Sequence, residues 1–429
     1  MTTTVGNDDY MTEEFRKLLA DSVGKDKAGI AMKALTGEPS VSIRLNPAKL
    51  TECPFPDAEK VPWSPYGYIL KERPSFTLDP LFHAGCYYVQ DTSAMFPGHV
   101  ARRFMDRPGM SVLDLCAAPG GKSTDLAASL RERFGDNFTL LSNEVVRARY
   151  NTLRSNLETW GDSRTGVVSR DPSAFGNAPL FDMIVADVPC SGEGMFRKDA
   201  KAVEDWSLET VQFCAARSRR ILSDIWSTLV PGGILIYSTC TFNHFENDDT
   251  VEWIASELGA DIIPQEDLPP AILTRCGQVL LPGFVPGEGQ YVAALRKHGE
   301  ADGIRRGDPL KIFKAQMPDQ VGHDGKTVGQ DGKTVGQDGK TVGHDGKTAG
   351  QDGRAVTTGT DRWSPDAPHV NVDRKTALQY LHGDALKLPD APIGLITICY
   401  EGHPLGAAKN LGTRCNNLYP KAKRIRMDV

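Results

Sequence analysis

Between residues 110 and 239, short apolar runs alternate with longer amphipathic stretches, and this alternation restricts the fold more than any other feature of the chain. Ser111-Val-Leu-Asp-Leu-Cys116, Phe138 to Asn143, Gly166 to Ser169, Phe181-Asp-Met-Ile-Val-Ala-Asp187 and Ile234-Leu-Ile-Tyr-Ser238 read as buried strands. Gly121 to Arg133, the stretch from Glu144 through Leu157, and Leu208 to Leu229 read as helices, with a turn at Pro231-Gly-Gly233. Strand and helix in alternation predict an α/β fold with a parallel, doubly wound, Rossmann-like sheet. In such sheets ligands sit beyond the carboxyl ends of the strands, so the chemistry is sought there.

The chain has 429 residues, enough for about three domains. From Val321 to Arg354 a seven-residue unit, Asp-Gly-Lys-Thr-Val-Gly-Gln, repeats about four times. A period of seven is that of a coiled coil, but two glycines and a single apolar residue per unit cannot sustain one. A flexible Gly/Asp-rich linker over Gly303 to Ser364 is expected instead. It separates a body from a tail module at 365–429. Within the body the proline-rich stretch at 1–100, with Pro54, Pro56, Pro62, Pro65, Pro74 and Pro80, is set apart from 101–302. The net charge of −6 argues against a wholly basic coat protein yet leaves room for a local basic face.

The nine cysteines include no Cys-x-x-Cys pair, which argues against a zinc site or a secreted disulfide framework, and no metal is expected. Met1 to Phe15 has no signal-peptide pattern, and no run approaches 18 apolar residues. A reducing cytoplasm and a monomer are the expectations, with free thiols available for chemistry.

The first strand ends in Cys116-Ala117-Ala118-Pro119-Gly120-Gly121-Lys122-Ser-Thr. A P-loop would need glycine where Cys116 stands, and a Gly-x-Gly-x-x-Gly dinucleotide loop is absent. A glycine turn that lets backbone approach an adenosyl cofactor remains. Glu144, ending the second strand, suits ribose hydroxyls, and Asp171, ending the third, suits an adenine amino group. Each carboxylate alone reads equally as a turn or first-turn acid, but in strand order the set describes an adenosine pocket. The fourth strand ends in Asp187-Val-Pro-Cys190 and the fifth in Ser238-Thr-Cys240. These strand ends are neighbours in a doubly wound sheet, so two thiols are expected to face one cleft. Cys116 is expected to pack in the cofactor turn.

Thiolate addition at C6 of a pyrimidine makes C5 enamine-like, able to take a methyl group from a sulfonium donor. The scheme needs a nucleophilic cysteine, an acid near N3, and a base or second thiol for release. Cys240, Asp187 and Cys190 can fill these roles, though spacing does not say which thiol attacks.

Val112-Leu-Asp-Leu-Cys-Ala-Ala-Pro-Gly-Gly-Lys122, Asp187-Val-Pro-Cys-Ser-Gly-Glu-Gly-Met-Phe-Arg-Lys-Asp199 and Tyr237-Ser-Thr-Cys-Thr-Phe242 resemble the motifs of the RNA 5-methylcytosine methyltransferases, the NOL/NOP2/Sun family. Gly85-Cys-Tyr-Tyr-Val-Gln-Asp-Thr-Ser-Ala-Met95 resembles that family's opening segment, and Ile43-Arg-Leu-Asn46 its N-terminal RNA-facing module. The RsmF-like 16S rRNA enzymes are the nearest match. The resemblance implies a class I S-adenosyl-L-methionine-dependent methyltransferase domain at 101–302 and an N-terminal RNA-binding module at 1–100. Cys240 would be the nucleophile and Cys190 would promote release. Cys116 through Lys122, Glu144, Asp171 and Asp187 would bind the cofactor. Asn371 to Val429 resembles the family's PUA-like α+β RNA-binding domain. From Lys409 onward this tail carries six basic residues against one acidic, which fits phosphate contact. Pro282-Gly-Phe-Val-Pro-Gly-Glu-Gly289 departs from the family in having Gly283 where histidine is common.

The implied partner is structured RNA, 16S rRNA or the small ribosomal subunit, with no membrane. The alternatives are a tRNA or DNA cytosine-C5 methyltransferase, or a non-catalytic RNA-binding ribosome-assembly factor.

Overall fold

The structure, a computed structural model, describes residues 11–266, 268, 270–300, 307–315 and 367–427. These form two compact units, and the chain visits the second one twice: Ser75–Ala84 belongs with the C-terminal region.

The larger unit opens with helices α1 (Glu13–Val23) and α2 (Lys25–Leu35), then strands β1 (Val41–Leu45), β2 (Glu59–Lys60) and β3 (Gly67–Leu70). After α3 (Pro80–His83), which belongs to the second unit, β4 (Tyr87–Val89) completes a small antiparallel sheet in the order β2-β3-β1-β4. Helix α4 (Phe96–Arg102) leads into the alternating region: β5 (Met110–Asp114), α5 (Gly121–Phe134), β6 (Phe138–Asn143), α6 (Arg147–Trp160), β7 (Thr165–Val168) and β8 (Phe181–Asp187). It continues with α7 (Ala200–Glu204), α8 (Leu208–Ile225), β9 (Leu229–Thr239), α9 (Asp248–Leu258), β10 (Ala260–Ile263), β11 (Ile272–Leu273), β12 (Gln278–Leu280), β13 (Gln290–Lys297) and α10 (Pro309–Ile312).

The central sheet runs β11-β12-β13-β9-β8-β5-β6-β7, with β10 also on β13. From β7 to β9 every pairing is parallel, as expected, and these strands are buried on both faces, which is why they read as continuous apolar runs. Strand order reverses between β5 and β8, so the loops that follow these two strands flank the topological switch point. The far side, β10 to β13, is antiparallel.

Three sequence expectations change. Pro231-Gly-Gly233 is no turn between elements but an irregularity inside β9, where the register against β8 shifts. The division at residue 100 does not separate cores. Phe15, Leu19 and Ala31 of the first helices share one core with Phe181, Ile184 and Leu235, and Phe15 stacks near Phe196 with centroids 5.0 Å apart. Residues 307–315, read as linker, hold α10, whose Leu310 and Phe313 join that same core; Phe313 lies 4.8 Å from the Phe175 ring. The seven-residue repeat lies outside the described residues.

The second unit contains β14 (His369–Asn371), α11 (Arg374–His382), β15 (Gly394–Tyr400), β16 (His403–Asn410) and β17 (Cys415–Asn417), a four-stranded sheet in sequence order. Tyr380 on α11 is fully buried and donates to the Ala407 carbonyl at 2.8 Å. Asn417 ties β17 to the end of α11 through the Tyr380 and Asp384 carbonyls.

Candidate active site

At the end of β5 the chain must turn sharply into α5. Gly120 does this with φ of +112°, a value L side chains avoid, and a Cβ there would also press on Leu153 at 3.2 Å. The turn delivers Lys122 to the first turn of α5. From there its Nζ reaches Asp187 Oδ2 at the end of β8, 2.8 Å away, across the switch point. Burial works against the Lys122 ammonium, but the charge and hydrogen bond of Asp187, with Asp114 and the Cys240 sulfur adding to them, raise its pKa above the ordinary lysine value. The other Asp187 oxygen accepts from Ser238 Oγ and from Gln290 Nε2, each at 2.8 Å.

The two cysteines expected in one cleft are brought together. Cys190 Sγ and Cys240 Sγ lie 3.0 Å apart, both half-buried. The hydrogen bond to Cys240 and then burial push the Cys190 thiol well up, so Cys190 stays protonated. The loops carrying them are packed at main-chain distance: Gly194 N donates to the Cys240 carbonyl at 2.7 Å, and a Cβ on Gly194 would meet that oxygen at 2.9 Å. Cys116 stays at the glycine turn, where burial and Asp114 raise its pKa far above that of a free thiol.

The carboxylates expected to hold adenosine are placed unevenly. Glu144 ends beside β6, buried, accepting from Val146 N at 2.8 Å and standing 3.5 Å from Arg149 Nε. Next to it Val145 and Val146 are half-exposed. Asp171 is at the end of β7, but its carboxylate caps the turn Pro172–Phe175. Hydrogen bonds from Ser173 Oγ at 2.7 Å and Ser173 N at 3.1 Å lower its pKa. Asp114, fully buried beneath the glycine turn, accepts from Ser123 Oγ at 2.6 Å through one oxygen while the other has no partner. Burial raises its pKa to about 7. An open glycine turn, a ribose-type acid and an apolar shelf of two valines suit an adenosyl group.

Ile43-Arg-Leu-Asn46 lies inside the N-terminal part of the fold. All four residues are buried in β1 and just beyond it. Arg44 donates to Gln90 Oε1 at 2.9 Å and, through one terminal nitrogen, to the Gly121 carbonyl at 3.0 Å and Thr124 Oγ1, with its guanidinium 4.8 Å over Trp160. It braces the start of α5 from below.

Sequence reasoning passed over several neighbours of the thiols. Glu288, from the segment that departs from the family, pairs with Arg197 at 2.7 Å and Lys198 at 3.2 Å. Gln290 and Ser238 hold Asp187, and Glu193, Asn243 and Glu246 lie between the two cysteine loops. Their only sequence signal was being polar beside strand ends.

The fold is that of the Rossmann-type methyltransferases. Solved structures agree on the fold: a methyltransferase homologue from Pyrococcus horikoshii is 25% identical with a TM-score of 0.57, covering 67% of this chain and 95% of that one. The NSun6 protein of Pyrococcus horikoshii, solved with SFG, is 19% identical with a TM-score of 0.55, covering 67% and 99%. Family models match in three places: the 16S rRNA methyltransferase RsmB/F over residues 104–296, the N-terminal domain of 16S rRNA methyltransferase RsmF over 11–92, and the methyltransferase RsmF PUA domain over 367–425. Residues 104–296 thus carry the methyltransferase domain of the RsmB/F family, a family that uses S-adenosylmethionine, with RsmF-type domains matched on either side. Relatives named ribosomal RNA small subunit methyltransferase F include one from Klebsiella pneumoniae, 36% identical over 283 residues, and one from Pectobacterium atrosepticum, 33% identical over 287. These alignments cover 61% and 62% of this chain, and the chain spans 58% of the length of each relative.

Proposed function

We propose that this protein methylates C5 of a cytosine in 16S rRNA through a covalent adduct on Cys240. The observation that carries the reading is the 3.0 Å approach of the two sulfurs beside the Lys122–Asp187 pair. The two sulfurs stand within hydrogen-bond distance, where either can donate to the other, and the Lys122 ammonium acts on the Cys240 sulfur by charge. The Lys122 charge supports a thiolate in this cleft, and the resemblance to the family assigns attack to Cys240.

Cys116 through Lys122, Glu144, Asp171 and Asp187 would hold S-adenosylmethionine, which would supply an electrophilic methyl group. The protein's own groups do the rest. Cys240 Sγ adds to C6, forming the C–S bond while a proton passes to N3 from the Lys122 ammonium through the Asp187 carboxylate, and C5 becomes the nucleophile that takes the methyl group. The C5 proton then leaves to solvent, the C5–H electrons restore the C5–C6 double bond, and the C6–S bond breaks with its electrons staying on the Cys240 sulfur as N3 returns its proton. Cys190, beside the departing sulfur, serves that release. Exposed Lys409, Arg414, Lys421 and Arg426 on the second unit supply phosphate contacts.

The test uses 30S subunits, bulk tRNA and DNA as acceptors of labelled methyl. Cys240→Ala abolishes transfer to 16S rRNA, and Cys190→Ala accumulates a covalent protein–RNA adduct. Normal methylation by both variants overturns the assignment of the thiols. Transfer to tRNA or DNA instead redirects the substrate, and no transfer by the wild type points to a non-catalytic assembly factor.

A further inference from the structure

Beneath the sulfurs lie two carboxylates that the chemistry above does not use. Glu193, three residues beyond Cys190, and Glu246, six beyond Cys240, are both buried, at 1% and 0% exposure. Their side chains cross. Glu193 reaches to the Cys240 loop, accepting from Phe242 N at 2.6 Å and Asn243 Nδ2 at 2.8 Å, with Trp206 Nε1 at 3.2 Å. Glu246 reaches the other way, accepting from Ser191 N at 2.9 Å and from Ser191 Oγ, next to Cys190. Asn243 links the two: its amide nitrogen also donates to Glu246 at 2.9 Å, and its oxygen accepts from Glu246 N at 2.9 Å.

Burying two acids side by side is expensive, because each loses hydration and repels the other. A role in stability alone is met more cheaply by apolar packing. What the arrangement provides is direction. Beyond the ends of β8 and β9 the regular ladder stops, and the backbone bond from Gly194 N to the Cys240 carbonyl ties the two loops on its own at one point. Crossed, charge-assisted hydrogen bonds from each loop to the other's backbone reinforce the lateral tie just below the sulfurs. Glu246 is enclosed and its oxygens are occupied by Ser191 and Asn243, so it does not touch the base.

We propose that Glu193, Asn243 and Glu246 form a crossed brace that sets the separation of Cys190 from Cys240 and thereby times release of the methylated base. These are positioning residues, and the proposal rests on the two-thiol reading above. Attack needs only Cys240, whereas release needs Cys190 at the departing sulfur. Loosening the tie to Ser191 therefore slows release more than attack.

The experiment measures steady-state methyl transfer, KM for 30S subunits and the fraction of enzyme covalently bound to RNA. Wild type, Cys190→Ala, Glu246→Gln and Ser191→Ala are compared, with folding checked by circular dichroism. Losing one charge-assisted hydrogen bond should lower kcat about tenfold and raise the bound fraction by a similar factor, while KM stays within about twofold. Ser191→Ala, which keeps the carboxylate and the backbone donor, should show the same pattern more weakly and decides the matter if Glu246→Gln does not fold. Wild-type turnover in a folded variant, or lost turnover without bound RNA, overturns the brace. A Cys190→Ala enzyme that traps no RNA overturns the two-thiol reading itself, so the two failures are distinguishable.

Discussion

Asp187 shows how much one residue can be asked to do. It takes hydrogen bonds from Lys122, Ser238 and Gln290, brought by α5, β9 and β13, so its position is fixed from three elements. Glu246 is held as firmly, but in a place that disfavours its charge. Burial, and then the nearby Glu193, raise its pKa from 4.5 to about 7. The folded state therefore binds a proton at Glu246 that the unfolded chain has already lost between these values. The stability this gives is complete below about pH 4.5 and is lost as pH rises through 7, a change of about 3 kcal/mol for a shift of this size. Denaturant midpoints taken at pH 6 and pH 8 should thus fall more in the wild type than in Glu246→Gln. Equal falls would mean that the carboxylate titrates in its ordinary range.

Among the elements, those from β5 to β9 were legible in the sequence because each is buried on both faces and each helix between them shows one apolar stripe. The glycine turn, Asp187 and both cysteines followed from that, since the ends of parallel strands are fixed once the strands are. The antiparallel strands from β10 to β13 were not legible: β11 and β12 are too short to show a period. The crossed carboxylates were invisible because sequence spacing does not say which loop a side chain leans toward. The place of Arg44 was not legible either: β1 carries it under α5, where its planar fork meets Gln90, Thr124 and the Gly121 carbonyl. Arg44→Met should cost about 2–4 kcal/mol in chemical denaturation by leaving these acceptors unpaired, and Arg44→Lys should not recover it because an ammonium cannot span them. A variant of unchanged stability would mean that Arg44 does not brace α5.

At the scale of the molecule, the C-terminal region looks in sequence like a removable tail behind a linker, and the second unit's composition says otherwise. Its short helix α3 and the turn before it come from Ser75–Ala84, more than two hundred residues upstream of the rest. Phe76 and Leu81 are buried there, at 8% and 6% exposure, and Arg374 at the start of α11 donates to the Leu78 carbonyl at 2.8 Å. Removing residues 319–429 therefore leaves a ten-residue apolar loop in the remaining chain without its partner. Burying side chains of this size is worth about 1.5–3 kcal/mol each, so their release should speed local cleavage tenfold or more. Limited chymotrypsin digestion should cut the truncated protein between Phe76 and Phe82 while leaving β5 to β9 intact, and should spare that segment in the full chain. Equal cleavage in both would mean that the segment is protected without the C-terminal region, and that the region can be removed as a tail after all.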